Sequence, residues 1–314
     1  MEAIETVAEA HLTDHWDNRR ILAPVMIAPA LIYIVALVGF PFVLAILYSL
    51  SDATTGNPTI HFVGLKNFAN IIRDPVFIRA LENTFLFTFV SQALVVVFSG
   101  VLAIALSKEF WGKHLVRFLI LLPWAAPISL GAIGWLWIYD SVFSPIDWIL
   151  RAIGLLGTPH AFFGADSNLY WLGRPVLAMA SVIVVQTWRI LPLATVIMLA
   201  GIAAIPQEIL DAAAVDGAGF WRRLFKIEIP LLLPIISIAV LFGVVFTFTD
   251  MTVVYVLTRG GPINSTQVLA SWAFFVGIEA GDLGQGAAVA LFLFPVLAAG
   301  AALVLRLARR TEVT

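Results

Sequence analysis

The sequence of 314 residues has no cysteine and very little charge. Without cysteine there is no disulfide, no thiolate nucleophile and no Cys-ligated zinc or iron–sulfur cluster. Five histidines (His11, His15, His61, His114, His160) are scattered at no metal-ligand spacing. The apolar segments carry neither a Ser–His–Asp order nor paired carboxylates. No metal, no cofactor on this chain and no catalytic residue are therefore expected. The formal net charge of −2 offers no basic surplus for nucleic acid. No G-x-x-x-x-G-K-[ST] segment is present to cradle a phosphate. Charged residues make up 12% of the chain and hydrophobic residues 61%, against roughly a quarter and a half in a soluble domain. A water-soluble globule cannot hide that much apolar surface, so the chain is read as an integral membrane protein.

Long uncharged runs are what the sequence does have. A helical span needs about 20 apolar residues, and six segments meet that length: about 21–50, 83–107, 118–139, 175–203, 230–257 and 283–305. The alternating ten-residue segments of a transmembrane barrel are not seen. The expected fold is all-α, a polytopic membrane domain over 21–308 with short tails at 1–20 and 309–314. Two shorter uncharged stretches, 152–165 and 267–278, read as interfacial or re-entrant pieces. Arg19, Arg20, Lys108, Lys113, Arg117, Arg222, Arg223, Lys226, Arg306, Arg309 and Arg310 fall on one side of the six spans. Lys66, Arg73, Arg79, Arg151, Arg174 and Arg259 fall on the other. The richer side should be cytoplasmic, which puts both termini inside. The acidic first twenty residues lack the basic start of a signal peptide, so the first span is expected to stay as an anchor.

Polar groups inside spans are costly and often mark a pathway. The fourth span offers Gln186 and Arg189, the fifth Phe246, Thr247 and Asp250. At 1.5 Å per residue, Arg189 lies about 25 Å from Pro206 and Asp250 about 30 Å from Pro230, so both fall near mid-membrane at similar depths. Amide, hydroxyl, carboxylate and aromatic ring together suit a sugar. Arg189 and Asp250 alternatively form a buried ion pair that locks two helices, and Phe246 alternatively packs against lipid or core. An Arg189 without such a partner would suit an anionic solute.

The loop 204–229 joins these two spans. Residues 207–215 are good helix formers behind Pro206. Gly217 is placed to end that helix, and Asp216 is placed to cap the next one. Phe220, Leu224 and Phe225 stand at helical spacing among Arg222, Arg223 and Lys226. The loop reads as an amphipathic knob shaped to dock in a partner's groove.

Here the sequence resembles the permease subunit of binding-protein-dependent ABC importers, in the carbohydrate-uptake branch. That family's loop signature is E-A-A, three residues, G, nine residues, I-x-L-P. It is matched by Asp211-Ala212-Ala213, Gly217 and Ile227-Glu228-Ile229-Pro230. Asp211 stands for Glu and Ile229 for Leu. The sugar branch's D-G-A stands as Asp216-Gly217-Ala218. Further likenesses are Phe62-Val63-Gly64-Leu65-Lys66-Asn67-Phe68, Asp74-Pro75, Asn83-Thr84 and Leu257-Thr258-Arg259-Gly260-Gly261-Pro262. The resemblance implies a type I importer fold in the bacterial inner membrane. It implies that Asp211, Ala212, Ala213, Asp216, Gly217, Ala218, Phe225, Ile227 and Pro230 form a coupling element for a separate cytoplasmic ATPase. ATP and Mg would reside on two copies of that ATPase, beside a second homologous permease and an extracytoplasmic solute-binding protein. A sugar would pass Gln186, Arg189, Phe246, Thr247 and Asp250. A glycerol phosphate or a sulfonated sugar is the alternative cargo. A lipid-modifying membrane enzyme would need clustered acids or histidines at one interface, and a self-contained secondary transporter an internal repeat. The sequence offers neither.

Overall fold

The computed structural model describes residues 19–57 and 59–311. Among them there is no strand beyond two isolated bridges, Ser51 to Phe62 and Thr54 to Asn57. Helices α1 (Arg19–Ile34) and α2 (Phe40–Ser49) join through a π-turn, Val35–Gly39, into one apolar rod. Next in the chain are α3 (Lys66–Arg73), α4 (Pro75–Ser107), α5 (Lys113–Ala125), α6 (Ile128–Ile138) and α7 (Pro145–Ala152). The chain continues with α8 (Pro175–Ala203), α9 (Gln207–Val215) and α10 (Phe220–Arg223). The last elements are α11 (Ile229–Phe248), α12 (Thr252–Leu257), α13 (Leu269–Phe274) and α14 (Leu283–Thr311). Among the described residues, five rods are long and apolar enough to cross a bilayer, or six with α5 and α6 taken as one bent span.

Three expected spans have a different shape. The run 118–139 is no straight rod: α5 and α6 meet at an angle of 101°. Pro127 is the cause. A residue before proline is pushed out of the α region, and Ala126 is extended at φ −75°, ψ 143°. The run 230–257 breaks at Thr249–Met251, so Asp250 stands between α11 and α12. The fifth span also starts earlier than Pro230. The chain is helical without interruption from Phe220 to Phe248 through a π-turn, Leu224–Glu228. Ile229 N–H already bonds back to Leu224 O across that π-turn, so the next residue's missing N–H falls where the ladder has stepped. Helix α4 begins at Pro75, two turns before its apolar run, capped by Asp74 accepting from Val76 N–H at 2.8 Å. The stretch 152–165 is turn-rich, while 267–278 is helical in α13 and its π-turn Phe275–Glu279.

Three buried clusters hold the bundle. One joins α4, α6, α8 and α12 through Phe87, Tyr139, Val182, Val185 and Val254. A second joins α3, α4, α13 and α14 through Ile71, Phe77, Leu269 and Val289. A third, of Val95, Ile190, Ala194 and Ala239, ties α4, α8 and α11. With no hydrophobic drive inside lipid, packing and polar bonds must position helices. The motif residues at the end opposite the 204–229 loop supply such bonds. Buried Asn67 donates to Ser49 O and Ser51 O at 2.9 and 2.7 Å. Asn83 donates to Ser265 O and Gln267 O, each at 2.9 Å. Thr84 Oγ1 accepts from Leu269 N–H at 2.8 Å. The loop 140–174 is pinned by buried Asp147, which accepts from Leu169 N–H and Trp171 Nε1–H. At the start of that loop, backbone N–H groups of Phe143 and Val142 hold the Asp140 carboxyl below the usual carboxylate range.

Candidate functional sites: an exposed knob and a closed polar layer

The knob is built as its sequence suggests, with one exception. Helix α9 ends in a Schellman motif: Ala218 N–H bonds to Ala213 O at 2.9 Å and Gly217 N–H to Ala214 O at 3.1 Å. Gly217 has φ +69°, with no atom near where a Cβ would stand. Backbone conformation, not space, is thus what calls for glycine there. The exception is Asp216. It is the C-cap of α9, one residue past Val215, rather than a cap for the next helix, whose N-cap is Gly219. A capping carboxylate must sit in the residue preceding the first helical one, and the Schellman turn places Asp216 too early.

Most of the knob's apolar atoms find no cover in this chain. Val215 is 87% exposed, Trp221 68% and Phe225 60%. Trp221 stacks on Phe225 at 6.0 Å and meets Phe220 edge-on at 5.1 Å. Ala213 and Leu224 face inward. Arg223 Nε lies 2.7 Å from Glu228 Oε1, which braces the π-turn. Asp211 is exposed and accepts from Gln207 Nε2 at 3.0 Å. Ala212 and Pro230 are exposed, with Ala218 and Ile227 half-buried. Sequence reasoning did not single out Val215 or Trp221. The signal for Trp221 was its i,i+4 spacing to Phe225.

In the bundle, α8 and the α11–α12 junction are cross-linked twice, one helical turn apart. Gln186 Nε2 donates to Thr247 Oγ1 at 3.1 Å. Arg189 Nη1 donates to Asp250 Oδ2 at 2.6 Å. The Arg189 and Asp250 side chains are 21% and 7% exposed. Asp250 Oδ1 also accepts from Thr252 N–H at 2.9 Å, starting α12. Arg189 is the central residue of the 29-residue α8. Of the two readings left open for these charges, the structure displays the ion pair. Here these groups are bonded to one another rather than lining an open space. Gln186 and Thr247 are buried against each other, although Gln186 Oε1 has no partner among the described residues. Phe246 is not brought to them. It meets Trp124 edge-on at 5.7 Å and stacks on Phe242.

In the chain the knob lies between the two cross-linked helices, joining the end of α8 to the start of α11. The model of the family described as "Binding-protein-dependent transport system inner membrane component" matches residues 95–313. The chain belongs to this family.

As a member, it is a multi-pass inner membrane component of a transport system. The trehalose/maltose transport system permease protein MalF of Thermococcus litoralis is 30% identical over 273 residues, 87% of this chain and 88% of that one. The sulfoquinovosyl glycerol transport system permease protein SmoG of Agrobacterium fabrum is 30% identical over 296 residues, 93% and 92% of the two chains. The fold matches a crystal structure of a bacterial ABC transporter involved in the import of the acidic polysaccharide alginate. The TM-score is 0.77 at 19% identity, covering 96% of this chain and 99% of that one. The all-α importer-permease fold expected from the loop motif is therefore the fold observed.

Proposed function

We propose that this permease works in an ATP-driven importer and passes a sugar or sugar-like solute, delivered by an extracytoplasmic binding protein, into the cytoplasm. Both termini and the loop 204–229 face the cytoplasm, in keeping with the clustered Lys and Arg. The knob seats in a groove of a separate ATPase subunit, present in two copies that hold the ATP and Mg. A second, homologous permease completes the pathway. The observation that carries this reading is the exposed aromatic knob. Val215, Trp221 and Phe225 leave apolar surface in water at the end of a rigid, Schellman-stopped helix, and such surface calls for a protein partner.

ATP-driven closure of the ATPases moves the knobs, and α8 parts from α11. The Gln186–Thr247 and Arg189–Asp250 pairs then open and present amide, hydroxyl and carboxylate groups to the solute, with Phe246 brought alongside. A neutral sugar is favoured because Arg189 is matched by Asp250, which leaves the layer without net charge. An anionic, sulfonated sugar is the second reading, supported by the likeness to the SmoG permease. The test is uptake by the complex reconstituted with its ATPase and binding protein. The panel holds trehalose, maltose, polyols, a glycerol phosphate and sulfoquinovosyl glycerol. ATP-dependent uptake of at least one sugar is expected, and uptake of none contradicts the assignment. Normal transport by Asp250→Asn would remove Asp250 from the pathway.

A further inference from the structure

Beyond the polar layer, on the side away from the knob, α12 and the π-turned end of α13 enclose a cavity of about 310 Å³, within the range of small-molecule sites. It is lined by Tyr255, Arg259, Gln267, Ser271, Phe275 and Glu279. Tyr255 OH donates to Glu279 Oε1 at 2.6 Å, and Arg259 Nη2 donates to the same oxygen at 2.7 Å. These bonds hold the Glu279 carboxyl below the usual carboxylate range. The cavity therefore carries one cation and one anion that balance.

The donors and acceptors left over are informative. Both bonds go to Oε1 of Glu279, and neither engages Oε2. Arg259 uses only Nη2, leaving Nη1 and Nε as donors. Gln267 is 2% exposed. Its Oε1 accepts from Ser271 Oγ at 2.6 Å, while its Nε2 donates to no acceptor among the described residues. Gly260, at φ +85°, makes room for that amide: a Cβ there would stand 2.2 Å from Gln267 Cδ. Phe275 stacks on Trp272 at 5.4 Å and is itself 42% exposed, which leaves an aromatic wall. A buried amide donor, a forked cation, a free carboxylate oxygen and a ring face form a set suited to vicinal hydroxyls of a pyranose.

We propose that this cavity is an outer subsite that holds one sugar ring of the solute before it reaches the Gln186–Asp250 layer. The inference rests on the sugar reading of the proposed function. Arg259 and Gln267 donate to ring hydroxyls, Glu279 Oε2 accepts from one, and the ring lies along Phe275.

The experiment measures equilibrium binding of labelled trehalose, maltose and sulfoquinovosyl glycerol to the purified permease–ATPase complex in nanodiscs, without the binding protein. ATP-driven uptake of the same three is measured beside it. For a sugar that wild type imports, Gln267→Leu and Arg259→Lys should each raise the dissociation constant about tenfold, as loss of one good hydrogen bond would. Arg259→Lys keeps the pairing with Glu279 but loses the fork, so a purely structural latch would leave it at the wild-type constant. Should Gln267→Leu fail to fold, Arg259→Lys on the exposed rim carries the same test. Wild-type constants in the folded variants overturn the subsite while uptake by wild type leaves the sugar reading standing. Absence of wild-type uptake for these three and for the rest of the uptake panel overturns both.

Discussion

The knob and the polar layer sit on the same two helices and solve opposite problems. At the knob, Trp221, Phe225 and Val215 stay exposed while backbone bonds such as Ala218 N–H to Ala213 O and Arg223 N–H to Gly219 O close the turns that carry them. In the layer, Gln186 and Thr247 are buried and the Asp250 side chain is 7% exposed, and Gln186 bonds to Thr247 and Arg189 to Asp250 within the bundle. A rigid surface with apolar atoms left over points outward, to a partner. A buried polar pair points inward, to a lock that must open. Residues of similar rarity in the sequence thus take distinct roles from where the fold leaves their surfaces.

The largest effect that sharpens this contrast is expected in the layer. Asp250→Asn leaves the guanidinium of Arg189 without its counter-charge and should lower stability by about 3–5 kcal/mol, measured as thermal unfolding in nanodiscs. Adding Arg189→Met to Asp250→Asn should recover most of that loss, because the amide carbonyl that replaces the carboxylate keeps the bond from Thr252 N–H. Unchanged unfolding of the single variant would show that the pair locks nothing. At the knob, Gly217→Val forces a β-branched residue to φ +69°, a strain of about 1–3 kcal/mol. It should cut both uptake and ATPase co-purification severely, and wild-type levels of both would break the docking half of the comparison.

Two smaller effects are expected. Asn83→Ala deprives the Ser265 and Gln267 carbonyls of a shared donor. It should cost about 1–2 kcal/mol, seen as faster hydrogen exchange across 265–269. Smallest is Asp211→Asn. The carboxylate is exposed, so any charge pair that it forms with a docked ATPase should contribute below about 1 kcal/mol. Affinity for the ATPase, measured by titration, should then fall less than tenfold.

The knob was legible because it is local. Helix formers over 207–215 and a glycine two positions on are enough to write a Schellman stop. The pairing of Arg189 with Asp250 was within reach because helical rise alone puts both at one depth. What escaped depends on contacts far apart in sequence or on a single dihedral. Pro127 bends α5 against α6 through the extended Ala126. Pro230 fails to start a helix because the π-turn before it has already stepped the ladder. The roles of Asn67 and Asn83 are set by carbonyls up to 184 residues away, which no local pattern discloses.

The absence of cysteine makes the central claim directly measurable. Val215→Cys creates a single thiol at the most exposed apolar point of the knob. With a bifunctional reagent of short span, the complex should give a permease–ATPase cross-link that Gly217→Val in the same chain diminishes. A Val215→Cys protein that supports uptake yet forms no such cross-link would contradict the account.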